Sequence, residues 1–393
     1  MSASRLWAVG AVGAGILGAL TVLGVIGPPR PLGGFNRFSA SSFSDSSCSA
    51  PGATATRMFV PKDAYANATS DNADAIQGAI NTAAAAGGGV VALPAGTFLI
   101  NGHLILKNNV KLTGVGPTTV LKAGPDFLGS TGPDGGYPIV TTAGASNVTI
   151  ANLTADQNGD VLNGNADPNG RLRAYLVDIR NSHNVVVDNV YTRNPFTYSI
   201  AVVRSKDFCI VNCNTLVATS GRYDQLDGIH VLDSNTGQVI DNHVNQGVGT
   251  DGDDGLVAHT IDAAVYDVLY ANNTVRGGDN GDGMQLAVGN YPIDNVTIRN
   301  NDFYESPFGI RTGYWNTGAN GAVYNILIRA NYIHDLRPGH AFPRGGDAID
   351  IGGFGAIASV NYIAVIDNRT CDAGTITVIR GVGNIIARNH HCS

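Results

Sequence analysis

Charge is scarce in this chain of 393 residues: Asp, Glu, Lys and Arg together make up 14%, and the net charge is -7. So few cations on a mildly acidic surface give phosphate backbones nothing to hold, which excludes nucleic acid as a partner. A hydrophobic content of 44% excludes a disordered chain. Cysteine is sparse too. The five cysteines form no CxxC pair and no His/Cys ladder, so no zinc site and no metal is expected. Cys371 and Cys392 can staple the C-terminal end, whereas Cys209 and Cys213 lie on one apparent strand and cannot bridge without a bend. Cys48 then reads as the one left over. The stretch "TGVGPTT" lacks the glycine spacing that cradles a dinucleotide, and no cofactor is expected.

The N-terminus is a separate object. Leu6 to Gly27 carries no charge and, at about 20 apolar residues, is long enough to span a bilayer as a helix. Residues 1–30 therefore read as a signal anchor or a cleaved secretory signal, and residues 31–57 as a Ser-rich linker. Either way residues 58–393 are expected to be exported, secreted or held at the outer face of the membrane. Sequons at Asn67, Asn147, Asn152, Asn272, Asn295 and Asn368 are what a chain rich in Asn and Thr produces by chance.

What the sequence has in abundance is glycine, 51 residues, with Asn and Asp between short runs of Val and Ile. Such punctuation marks many short strands. One phrase recurs: "NVTIANLT" from Asn147, "NVVVDNVY" from Asn184, "DFCIVNCN" from Asp207, "GQVIDNHV" from Gly237, "DVLYANNT" from Asp267, "NVTIRNND" from Asn295, "NILIRANY" from Asn325 and "NIIARNHH" from Asn384. Most neighbouring copies lie roughly 23 to 37 residues apart, a solenoid spacing. One such strand cannot hide its apolar side, but stacked coils bury a continuous column and pair their strands in parallel. The pattern predicts an all-β, right-handed parallel β-helix, expected to be a monomer. An N-terminal helix over Ser70 to Ala86 caps it, with Ser70 as N-cap and Ala73, Ile76, Ala79 and Ile80 as its apolar face.

A second phrase fixes a register. Aligning the apolar residue after Gly in "YSIAVV", "LDGIHV", "DDGLVA", "GDGMQL", "FGIRTG" and "GDAIDI" stacks Tyr198, Asp227, Asp254, Asp282, Phe308 and Asp347 in one column. An Asp before Gly is by itself a turn residue. Three neighbouring carboxylates repel one another, however, and stability alone gives no reason to gather them with Asp253.

In this order of motifs the chain resembles the polygalacturonase-type glycoside hydrolases, which are right-handed parallel β-helices with NTDG, GDDC, GHG and RIK in successive coils. Here "QLDG" carries Asp227, "GDDG" carries Asp253 and Asp254, and "GIRTG" places Arg311 on the family arginine. Asp282 replaces the histidine and Gly313 the lysine. The resemblance implies inverting hydrolysis of a polysaccharide, with Asp253 as general acid and Asp227 with Asp254 holding the water. It assigns Asp282 and Arg311 to substrate binding. Carboxyl groups about 6.5–9.5 Å apart suit that chemistry. Without the lysine and with Asp282 added, a neutral sugar is expected rather than a uronate.

Tyr198, Tyr314 and Trp315 could stack on sugar rings, and His230, in the Arg311 column, joins the candidates. His340 and Arg344 read as an exposed loop. Two other classes stay open. One is a lyase or epimerase in which Asp251, Asp253, Asp254 and Asp279 ligate Ca²⁺ and Arg311 abstracts or stabilises a proton. The other is a non-catalytic glycan-binding surface β-helix.

Overall fold

The structure is a computed structural model that describes residues 47–162, 175–217, 226–247, 250, 252–314, 321–340, 342–352, 359–379 and 381–392. The expected anchor, residues 6–27, lies outside them, and among the described residues no helix is long and apolar enough to cross a membrane.

The chain winds into a right-handed parallel β-helix. Among the described residues ten short strands stack in parallel into one sheet, running from Leu104–Ile105 through Val140–Thr141, Val177–Arg180, Ile200–Val203, Ile229–Leu232, Leu256–His259, Asp282–Val288 and Phe308–Tyr314 to Ile349–Ile351 and Ile376–Val378. The remaining strands pair in parallel from coil to coil on the other faces, as in Tyr266↔Asp294↔Tyr324↔Asn361. Inside, Ile200, Ile229, Leu256, Met284, Ile310 and Ile349 form one fully buried column in register. That column is the driving force: none of these side chains could leave water on a single coil.

The recurring Asn and Asp residues have a common job. From Asn147 onward, successive coils each have two residues five apart with positive φ, for example Asn184 and Asn189, Asp207 and Asn212, Asp267 and Asn272, and Asn295 and Asn300. A left-handed conformation costs most L-residues roughly 1–2 kcal/mol, and Asn and Asp least among those with side chains. The residue after the second bend then points inward. There Asn242, Asn273, Asn301, Asn331, Asn368 and Asn389 stack as a ladder in which each Oδ1 accepts both the backbone N–H and the Nδ2–H of the rung before it, at 2.9–3.0 Å. Cys213 occupies the rung before Asn242, whose Oδ1 accepts the Cys213 N–H at 2.8 Å.

Several local expectations are corrected. The capping helix spans Ala73–Ala85, with Ala73, Ile76, Ile80 and Ala83 buried. Ser70 does not cap it. It lies in the strand Asn67–Asp71, its hydroxyl accepts from Asn67 Nδ2 at 2.9 Å, and Asp71 Oδ1 takes the Ala73 N–H at 3.1 Å. Cys48 is not the odd cysteine. It is disulfide-bonded to Cys209, Cys371 bonds Cys392, and the free thiol is the buried Cys213. Residues 47–53 of the Ser-rich stretch lie against the solenoid: Ser49 N donates to Gln238 Oε1 at 2.7 Å, and Gly52 N to Asn184 Oδ1 at 2.9 Å.

Candidate active site

The acidic column is real in the backbone. Ser199 N donates to Asp227 O, Gly228 N to Asp254 O, Gly255 N to Asp282 O and Gly309 N to Asp347 O, at 2.9–3.3 Å, while Asp282 pairs with Phe308. Tyr198, Asp227, Asp254, Asp282, Phe308 and Asp347 therefore occupy one position in successive coils. Two devices hold the acid-bearing turns together. Leu226 bridges to Gly252, and the buried Gln246 amide donates to the carbonyls of Leu226 and Asp254, the latter at 3.1 Å. Gly281 lets the next coil come close, since a Cβ there would lie 2.4 Å from the Asp253 carbonyl carbon and from Asp253 Oδ1.

One carboxylate oxygen from each of Asp227, Asp253 and Asp254 lies within 4.8 Å of the others. This is tighter than the expected 6.5–9.5 Å between an acid and a base (about that range in inverting pairs). One cause is the solenoid itself, which spaces Asp227 and Asp254 on neighbouring coils by about 4.8 Å. Two oxygens that far apart can still share one water at about 2.8 Å from each.

Asp227 and Asp254 are almost fully buried, at 3% and 5% exposure, while Asp253 is half-buried. Burial pushes the Asp254 carboxyl well above its usual range, and the negative charges of Asp253, Asp282 and Asp227 push it further. Burial likewise raises Asp227, against a backbone hydrogen bond from Asp254. The group thus keeps protons where an isolated aspartate is ionised. Asp254 Oδ1 also accepts the Asp282 N–H at 2.7 Å.

Asp282 and Arg311 form a buried ion pair, Nε to Oδ2 at 2.7 Å. The guanidinium lies over the rings of Phe308 and Phe342, 5.0 and 4.9 Å from their centroids. His230 sits on the other side of the acids. Its Nδ1 is 2.5 Å from Asp227 Oδ2, and its Nε2 is 3.0 Å from Nδ1 of the buried His259. Burial lowers His230 to about 3 and holds His259 well below the usual imidazole value. A raised carboxyl beside a lowered imidazole would ordinarily contradict a salt bridge. The short contact is better described as a hydrogen bond between an uncharged acid and a neutral ring, because nothing nearby solvates two ions.

The model of the Rhamnogalacturonase A/epimerase, pectate lyase-like family matches residues 63–326, about two thirds of the chain. The chain belongs to this family. Among curated proteins it is 28% identical over 293 residues to mannuronan C5-epimerase AlgE5 of Azotobacter vinelandii, a match covering 70% of this chain and 25% of that protein. The chain spans a quarter or less of the length of the curated relatives it matches. Among solved structures it resembles the exopolygalacturonase of Thermotoga maritima, with a TM-score of 0.62, 19% identity and coverage of 85% of this chain and 92% of that one. The polygalacturonase of Erwinia carotovora matches with a TM-score of 0.57 and 19% identity, over 87% of this chain and 100% of that one. The polygalacturonase-like, pectin-lyase fold is thereby shown.

Within this family frame the structure brings Asp227, Asp253, Asp254, Asp282, Arg311 and His230 together, with His230 three rungs from Arg311 through Val257 and Gln285. Tyr198 joins them but offers no face to a sugar. Its ring is stacked between Tyr175 and His230, with centroids at 4.8 and 4.1 Å. Tyr314 ends the Arg311 strand, and Trp315 lies outside the described residues, as does Asp251. Of the calcium set, Asp253 and Asp254 stand together with Asp227, while Asp279 pairs with Arg337 at 2.5 Å. His340 and Arg344 are exposed. Sequence reasoning missed three contributors: His259, Gln246 and Phe342. His259 was legible in principle, lying two residues beyond the Val257 that pairs with His230.

Proposed function

We propose that this protein is a glycoside hydrolase that cleaves a neutral polysaccharide with inversion. The observation that carries the hydrolase reading is the convergence of one oxygen each from Asp227, Asp253 and Asp254 within 4.8 Å on consecutive coils, and inversion rests on the motif order. Crowding keeps a proton on the group, and Asp253, the least buried member, delivers it to the leaving glycosidic oxygen. A water between Asp227 and Asp254 gives its proton to a carboxylate as its oxygen bonds the anomeric carbon from the opposite face. A neutral sugar is favoured because Arg311, the cation that would greet a uronate, is already engaged by Asp282 and covered by Phe308 and Phe342.

The test is a panel of neutral glycans and polygalacturonate digested by the full chain, with products read by mass and their first-formed anomer by NMR. Cleavage of a neutral glycan with inverted configuration is the expected result. Efficient cleavage of polygalacturonate would overturn the substrate, and a retained anomer would overturn the single-displacement scheme. The curated epimerase relatives favour a second reading, C5 epimerisation or lyase chemistry on a uronate. Unsaturated products, or inversion at C5 without chain cleavage, would establish it instead.

A further inference from the structure

We propose that His230 and His259 form a buried device that fixes the orientation of Asp227 and sets the pH at which it ionises. The inference rests on the reading of Asp227 as a group that handles water, but its physical content does not depend on hydrolysis. Three observations carry it. Asp227 Oδ2 is 2.5 Å from His230 Nδ1, so one carboxyl oxygen is committed and the other is left for the water. His230 Nε2 is 3.0 Å from His259 Nδ1, reached diagonally because His230 pairs with Val257 and His259 lies two residues further on. The His230 ring is also clamped under Tyr198, 4.1 Å away and 7° from parallel.

An imidazole is a partner that can change sides. When Asp227 is protonated its O–H donates to Nδ1, and the His230 proton resides on Nε2 and donates to His259 Nδ1. When Asp227 ionises, its proton passes to His230 Nδ1, the His230 Nε2 proton passes to His259 Nδ1, and the proton on His259 Nε2 leaves the site. His230 then carries its proton on Nδ1 and donates to the carboxylate, while Nε2 accepts from His259 Nδ1–H. Both settings satisfy both contacts with neutral rings. Such a switch gives the ionised acid a donor without placing a charged imidazolium in a dry site, which would cost far more.

The surrounding charges bear on this balance from every side. From the next coil Asp253 and Asp254 face Asp227, Asp282 lies one coil beyond them, and Arg311 one further still, paired with Asp282. On the strand's own end, Asp233 favours the charged form of His230. The phenol of Tyr198, pushed up by burial and by Asp227, stays neutral on the other face. The acids oppose ionisation of Asp227, so a donor at Oδ2 is what the ionised form needs.

His230→Phe keeps a ring under Tyr198 but removes both nitrogens. In the full chain it should move the acid limb of the kcat/KM profile up by at least one pH unit, with KM changed less than twofold. His259→Phe, one step further away, should move it in the same direction by less. His230→Asn, whose amide can present either N–H or C=O to Asp227, should restore at least half of the shift. A limb that does not move in folded His230→Phe would overturn the proposal. A second readout needs no activity: ¹⁵N imidazole spectra should show His230 neutral from pH 8 to 4, with nitrogen shifts that change in Asp227→Asn. A His230 that titrates near its ordinary value, or ignores Asp227→Asn, would also overturn it. If those spectra hold and no glycan is cleaved, the device stands and the hydrolase reading falls.

Discussion

Removing one member of the Asp282–Arg311 pair tests both the register and the substrate reading. The two groups meet at 2.7 Å with exposures of 0% and 4%. At an effective dielectric near 20, two unit charges at that distance attract by about 6 kcal/mol. Desolvating both ions costs several kcal/mol each, so the intact pair adds little net stability. A single deletion instead strands a buried charge, at roughly 3–5 kcal/mol. Asp282→Asn and Arg311→Met should therefore each lower the unfolding free energy by about 3–5 kcal/mol. The double variant should lose much less than their sum. Urea titrations of the four proteins at neutral pH give the coupling directly. In acid the Asp282→Asn penalty should shrink, because burial raises the Asp282 carboxyl and the wild type then sheds the same charge. Asp282→Asn should also release Arg311 and improve binding of polygalacturonate at low salt. Losses that add within about 0.5 kcal/mol would mean that the two groups act independently. Arg311 would then be available to a uronate, and the case for a neutral sugar would collapse.

Asp253→Asn should lose roughly 10²–10⁴ in rate on a glycan with a poor leaving group but much less on an activated aryl glycoside, whereas Asp227→Asn and Asp254→Asn should slow both alike; full activity of Asp253→Asn on a natural glycan would return Asp253 to a turn residue. His230 is held at about 3 in the folded chain against 6.5 unfolded, so its stabilising contribution is complete above pH 6.5 and is lost as the pH falls toward 3. The ceiling is about 5 kcal/mol, and the acid decline in Tm should be shallower in His230→Phe. Asp227 and Asp254 carry the opposite sign: raised when folded, they stabilise below the ordinary Asp value of 3.8 and weaken the fold as pH rises through their folded values. Asp254→Asn should therefore raise Tm at pH 8 more than at pH 4. Asn301→Leu orphans the Asn273 N–H and the Tyr270 carbonyl, and at about 1–3 kcal/mol each should cost about 2–6 kcal/mol by denaturant titration.

The solenoid and its acidic column were legible because each depends on a local repeat. Gly after Asp, followed by a buried apolar residue, recurs at Asp227, Asp254 and Asp282, and parallel stacking converts that repeat directly into adjacency. One coil escaped notice, the strand Ser359–Ile366, because its first left-handed bend is at Tyr362 rather than at Asn or Asp. Contacts that run diagonally or through loops were not legible. His259 meets His230 across a register offset, Phe342 reaches Arg311 from a loop, and Cys48 finds Cys209 over 161 residues. The sugar-facing role expected of Tyr198 failed for a related reason: the sequence marks it as aromatic and in the column, but the neighbouring rings that cover it come from Tyr175 and His230.

The asparagine ladder makes the two ends of the molecule mechanically unlike. From Asn242 onward every coil is tied to the next by an inward side-chain rung as well as by its strands, whereas the corresponding residues of the earlier coils are Leu153 and Val190, and those coils are tied by outer rungs such as Asn184 Nδ2 to Asn147 Oδ1 at 2.6 Å and Asn189 Nδ2 to Asn152 Oδ1 at 2.8 Å. Apolar packing is non-directional and yields gradually, while a rung of two hydrogen bonds yields over a fraction of an ångström. Under tension along its axis, the solenoid should part beyond Cys213 by losing its inner rungs one at a time, whereas before Cys213 the interior packing yields gradually and the outer rungs carry the directional load.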